Sequence, residues 1–136
     1  MSNSVLRDKN DKILNPKIPR YEKMKKKILW ENPNPTSNFN TQNITLSSNK
    51  YQFLEIVYYN WVTDQLEQCL IIEKGANGAL TSIVYSNSIY VGIRALTYVD
   101  ETTLKLSDTY VFHFGSTNME KLNGHAVPVR IYGYYS

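Results

Sequence analysis

The chain has 136 residues, 42% of them hydrophobic, a formal net charge of +3 and a single cysteine, Cys69. That is one domain's worth of chain, and a domain of this size buries roughly two-thirds of its unfolded surface without help from a disulfide or a metal. One thiol excludes an intrachain bridge, no apolar run approaches the ~20 residues of a membrane span, and the polar start MSNSVLRDKN has no secretion-signal core, so a cytoplasmic product is expected.

Residues 1–27 carry nine basic against three acidic side chains, a net +6, whereas residues 28–136 carry six against nine, a net −3. The basic balance therefore belongs to the N-terminal arm. A nucleic-acid-binding domain spreads its cations over a folded face among aromatics, so no nucleic-acid partner is expected. The cluster Lys23, Lys25, Lys26 and Lys27 reads instead as a solvated or partner-facing tail. Two prolines in NPKIPR favour extended backbone, and RYEKMKKKIL is compatible with a helical turn or two. The arm, residues 1–27, has too few large apolar groups to build a core of its own.

From Ile28 onward, runs of Val, Ile, Tyr, Leu and Thr alternate with Asn, Gly, Ser and Asp. Strands are predicted over 28–31, 43–47, 52–60, 67–74, 79–86, 89–98, 103–107, 109–115 and 126–135. Trp30 anchors the first of them. NPNPTSN cannot be strand interior, because two prolines remove ladder donors, so it becomes a connection over one end of the fold with Phe39 tucked back as a plug. Ser86-Asn87-Ser88 is a hairpin turn, and STNMEKLNGHA the longest loop of the second half. Short antiparallel strands at this spacing predict an all-β, jelly-roll-like antiparallel sandwich over 28–136.

Alternation assigns faces. In IYVGIRALTYV, Val91, Ile93, Ala95 and Val99 share one face, and Tyr90, Gly92, Arg94, Leu96 and Tyr98 the other. The aliphatic set is expected inside, leaving Tyr90, Arg94 and Tyr98 outward. In the last strand, Val127, Val129 and Ile131 point inward, and Arg130, Tyr132 and Tyr134 outward.

Chemistry is sparse. Cys69 sits in an apolar run and reads as a buried small hydrophobe; His113, between Phe112 and Phe114, reads as a strand-surface histidine, and His125 as a loop residue beside Gly124. No His, Cys or carboxylate group has metal-ligand spacing, and no phosphate-cradling loop, nucleophile elbow or cofactor motif stands out. The acidic pair Asp100-Glu101 lies in a turn, without the cleft and fixed separation that glycosidases need. No enzymatic activity, metal or cofactor is expected. Eleven tyrosines leave surface as the working part. Trp61, Tyr90, Arg94, Tyr98, Arg130, Tyr132 and Tyr134 are the candidate ligand or subunit contacts, since amphipathic rings and planar cations favour interfaces and the apolar faces of sugars.

The stretches LWENPNPTSNFNTQNITL, YQFLEIVYY, IYVGIRALTYVDETTLKLSD and VPVRIYGYY resemble the C-terminal β-domain of minor structural and tail-fibre proteins, receptor-binding or head-fibre, of bacteriophages with low-GC Gram-positive hosts. The likeness spans roughly 30–135 and is most specific at its ends, where Trp30, Asn32, Pro35, Thr36, Ser37, Phe39, Gln42, Pro128, Ile131, Tyr132 and Gly133 match. The arm resembles the linker ahead of such domains, with Asp11 where that linker has glycine. The resemblance implies a homotrimeric virion subunit, assembled in the host cytoplasm. Its arm would attach to other virion proteins and its sandwich would adhere to host cell-surface polysaccharide or protein, with no membrane insertion. The alternative within the same family is a non-adhesive structural or decoration protein of capsid or baseplate. The matched residues are fold-makers, and no catalytic or ligand residues come with them.

Overall fold

Alternating side chains from Lys25 onward fold into nine strands, β3 (Lys25–Glu31), β4 (Gln42–Thr45), β5 (Phe53–Trp61), β6 (Glu67–Glu73), β7 (Gly78–Tyr85), β8 (Ile89–Asp100), β9 (Thr103–His113), β10 (Met119–Lys121) and β11 (His125–Tyr135). The computed structural model describes residues 24–136 and, ahead of them, the backbone of β1 (Leu6–Arg7) and β2 (Ile13–Leu14), which pair antiparallel. One sheet runs β3-β11-β5-β6; the other runs β10-β9-β8-β7, with β4 also on β9. Every pairing is antiparallel, and the two sheets pack into a β-sandwich.

The core lies between them. Leu54 and Ile56 of β5 and Val127 and Ile131 of β11 meet Leu80, Leu96, Leu104 and Leu106 of the other sheet, all essentially inaccessible. Each such side chain contributes about 1.5–3 kcal/mol by leaving water. Phe39 is buried as the plug, with its N–H on the Asn123 carbonyl at 2.9 Å. Trp30 packs against the core edge-on to Phe39, ring centroids 6.2 Å apart.

The sheet edges are closed in three ways that suit isolated edge strands. β3 carries Lys25, Lys26 and Lys27, and β6 carries Glu67 and Glu73 at its ends. Along β7, Asn60 of the opposite sheet acts as a one-residue strand partner. Its Oδ1 accepts the Ile83 N–H and its Nδ2 donates to the Ile83 carbonyl, both at 2.9 Å, while the Tyr58 hydroxyl donates to the Thr81 carbonyl.

Several expectations are corrected here. β3 begins at Lys25, not Ile28, and Lys25–Leu29 is strand, not a helical turn, because it pairs with the closing strand over Tyr132–Tyr135. Lys23 lies outside the described residues. The two strands predicted over 103–115 are one, β9. A bulge carries it past Ser107, whose hydroxyl accepts the Ala95 N–H at 2.8 Å. Met119–Lys121 is a strand where a loop was expected. Cys69 is exposed, because β6 is an edge strand that turns Leu70 and Ile72 inward and Cys69 and Ile71 out.

The largest correction is β8. Gly92, Arg94 and Leu96 face the core, and Ile93, Ala95 and Val99 face out. Grouping by face was right and the direction was reversed. In β11 the expected faces stand: Val127, Val129 and Ile131 are buried, and Arg130, Tyr132 and Tyr134 are half-buried on the outside.

Candidate functional site

At one end of the sandwich β5 finishes and β11 starts side by side, with Trp61 paired to His125. Their rings stack, centroids 5.7 Å apart and planes 27° off parallel. The turn after Trp61 is closed by the Gln65 N–H on the Trp61 carbonyl, at 2.9 Å, with Gln65 in left-handed backbone. Across a gap stands the β7–β8 hairpin, which contributes Val84, Ser86 and Tyr90. Residues Lys121–His125 floor the gap and Asn38 rims it, giving an open cleft of about 420 Å³. That volume is within the ~300–1,000 Å³ of small-ligand sites. Tyr90 is braced by the His113 ring, 4.2 Å away.

The floor of the cleft is held by Arg94. Its guanidinium has five N–H donors, and it makes five bonds to backbone carbonyls: Nε to Ala126, Nη1 to Phe39 and Ser107, and Nη2 to Asn123 and His125, at 2.5–3.2 Å. The side chain is wholly inaccessible. Burial pulls its pKa down to about 10, partly offset by Asp108, so it stays charged at neutral pH. Ala126 sits at φ 50, a left-handed conformation unusual for a residue with a Cβ, directly beneath the Nε contact. Asn123 completes the floor. Its Oδ1 accepts the Thr109 N–H, and its Nδ2 donates to Asn40 and Asp108, all at 2.9 Å. Hydrogen bonds from the Thr41 N–H and this amide hold the Asp108 carboxyl below its ordinary range.

His125 is buried against Trp61, not free in a loop, and its Nδ1 has no hydrogen-bond partner among the described residues. Burial pushes this imidazole below its usual value, against the opposing pull of Asp64. The unfolded chain then takes up the proton first. Stability is full above the ordinary histidine value of about 6.5 and falls as pH drops from there toward the lower folded value. The melting temperature should therefore fall between about pH 7.5 and 5.5, and His125→Gln should flatten that slope. An unchanged slope in the variant would contradict the assignment.

Of the residues singled out in the sequence, Trp61 and Tyr90 come together in this cleft. Arg94 does not face outward but lies beneath it. Tyr98 packs on the core, its hydroxyl 3.1 Å from that of Tyr51, which donates to the Glu101 carbonyl at 2.7 Å. Arg130, Tyr132 and Tyr134 lie on the outer face of the other sheet, in a network already satisfied within the chain. Arg130 bonds Glu67 at 3.0 Å and the Tyr132 hydroxyl at 2.9 Å. Tyr134 donates to Glu55 at 2.8 Å, and Lys26 lies 3.4 Å from Glu55 and 4.2 Å over the Tyr132 ring. Asp100 is engaged in its turn, accepting the Thr102 N–H at 2.9 Å, and Glu101 accepts from Asn49 at 3.2 Å. Among the described residues no cluster of His, Cys, Asp and Glu is placed to hold a metal. Sequence reasoning missed His125 and Asn123 as site residues; the signal was weak, an Asn-Gly-His run inside what read as loop.

No family model matches the chain, and no curated protein or solved structure is similar enough to count as a match.

Proposed function

We propose that this chain is a phage virion fibre or receptor-binding subunit that attaches by its N-terminal arm and adheres to the host cell surface through the Trp61 cleft. The observation that carries the adhesive part is the cleft's make-up. An indole stacked on an imidazole forms one wall and a tyrosine stands in the other, with Asn38 and Ser86 at the rim and Lys121 at the end of the floor. Flat rings take the apolar face of a sugar, and amide, hydroxyl and ammonium groups take its hydroxyls or acidic substituents. The virion part rests on the sequence resemblance. The cleft suits binding and not turnover, because among the described residues no carboxylate pair lines it. A single shallow site binds weakly, and presentation in several copies on a particle would convert that into firm attachment.

The test is retention of the labelled chain, clustered on beads, by intact cells of a panel of low-GC Gram-positive bacteria and by their purified wall polysaccharides. Retention by some of the panel, reduced at least tenfold by Trp61→Ala, is the expected result. No retention by any member would favour the second reading, a non-adhesive virion structural or decoration protein. That reading draws its support from the apolar outer face of the β7–β10 sheet.

A further inference from the structure

The two outer faces of the sandwich differ in kind. On the β3-β11-β5-β6 sheet the middle of the outer face is a connected set of charges and hydroxyls, Lys26–Glu55–Tyr134 and Glu67–Arg130–Tyr132, and its exposed aliphatics, Ile28 and Ile71, stand apart on the two edge strands. That is the chemistry of a surface facing water. The β7–β10 sheet is the reverse. Across the four strands one register row runs Ile83, Val91, Phe112, Met119 and the next Thr81, Ile93, Tyr110, Lys121, with Tyr85 one row further along on the other side. Ile83 is 64% exposed, Tyr85 81%, Ile93 44%, Tyr110 45% and Met119 64%. At full areas of about 200 Å² apiece these five present on the order of 600 Å², before half-buried Val91 and Phe112 are added. A soluble monomer's largest apolar patch is about 300–600 Å² and tends to be functional. A standard interface covers about 800 Å² per partner.

We propose that this face is where a second copy of the chain docks. Three observations select a copy over other occupants. The centre of the face carries no charge, only Lys105 and Lys121 toward its margin, so it offers nothing to steer an acidic or basic partner. Two copies can meet there without like-charge repulsion. The area is close to what one partner of a stable pair buries. Edge-to-edge extension through β7 is obstructed, because Asn60 and Tyr58 already occupy its backbone groups at Ile83 and Thr81, so on the β7 side of this sheet a copy meets the face and not a free strand edge. The inference locates the copy-to-copy contact of the multivalent arrangement proposed above, but stands on the sheet face and not on host binding.

The experiment is sedimentation velocity with multi-angle light scattering on the full chain and on three variants. The wild type should run at a multiple of the single-chain mass. Ile83→Lys with Ile93→Lys should run at the single-chain mass with an unchanged far-ultraviolet circular dichroism spectrum. Met119→Glu, on the short strand β10, provides a second disruption if the double variant fails to fold, and should also shift the mass downward. Trp61→Ala should keep the wild-type mass, which separates this contact from the cleft. A wild-type chain of single-chain mass would overturn the proposal. So would folded face variants that retain the multiple, since the arm or the charged face would then hold the copies together.

Discussion

Replacing Arg94 with methionine is expected to lower the unfolding free energy by about 4 kcal/mol. Methionine nearly fills the space, so the loss is polar. Five backbone carbonyls, of Phe39, Ser107, Asn123, His125 and Ala126, lose the guanidinium together, although Asn123 keeps the Phe39 N–H and His125 the Thr109 hydroxyl as a second donor. A buried carbonyl left without a partner costs about 1–3 kcal/mol, and those nearest the cleft can recruit water, so the total falls short of five full penalties. The melting temperature should drop by roughly 15 °C. Arg94→Lys should recover only a fraction, because an ammonium presents three donors from one point, not a planar fork. Equilibrium urea unfolding of the three proteins measures this directly. Values within about 1 kcal/mol of wild type for the methionine variant would mean the guanidinium does not clamp these carbonyls. The effect should also reach the cleft, since three of the five carbonyls belong to its floor or the residue next to it.

Gly92→Ala should cost about 2–3 kcal/mol. A Cβ there would sit 2.5 Å from the Ser82 Oγ and 3.1 Å from a methyl of Thr109 and one of Val111. The strand would otherwise welcome a side chain, so the cost is steric and not a matter of backbone preference. Ser82 gives the control. Its buried hydroxyl has no hydrogen-bond partner among the described residues, so Ser82→Ala alone should change stability by less than about 1 kcal/mol. In the Ser82→Ala background the closest clash is gone, and Gly92→Ala should cost about 1 kcal/mol less than it does alone. Additive effects in this double-mutant cycle would show that the strand relaxes around Gly92 and that the contact with Ser82 is not what excludes a side chain.

Most of the sandwich was legible in the sequence because period-two alternation is a strong signal. The β11 faces followed from Val127, Val129 and Ile131, and the connection over the end of the fold that carries Phe39 followed from Pro33 and Pro35, which cannot sit in a strand interior. β8 was misread for an instructive reason. Hydrophobicity places Val91, Ile93 and Val99 inside, and nothing in a lone arginine announces that five carbonyls from distant segments will converge on it. The residues that hydrophobicity misplaced are also the ones left exposed on the outer face, which is why that face is the stronger candidate for a covered surface. The cleft was half legible. Trp61 and Tyr90 drew attention as aromatics, but that they face each other, and that His125 stacks beneath, depends on pairing between strands some 60 residues apart. β10, three residues long, carried too little alternation to stand out from loop.

The most direct test of the adhesive account is to map contacts on the chain itself by amide chemical-shift perturbation, titrating in solubilised wall polysaccharide from a bacterium whose cells retain the protein. The cleft account predicts saturable shifts confined to Trp61–Val62, Ser86–Tyr90 and Lys121–His125, lost in Trp61→Ala. Shifts centred instead on Lys26, Glu55 and Arg130, or spread without a centre, would contradict it.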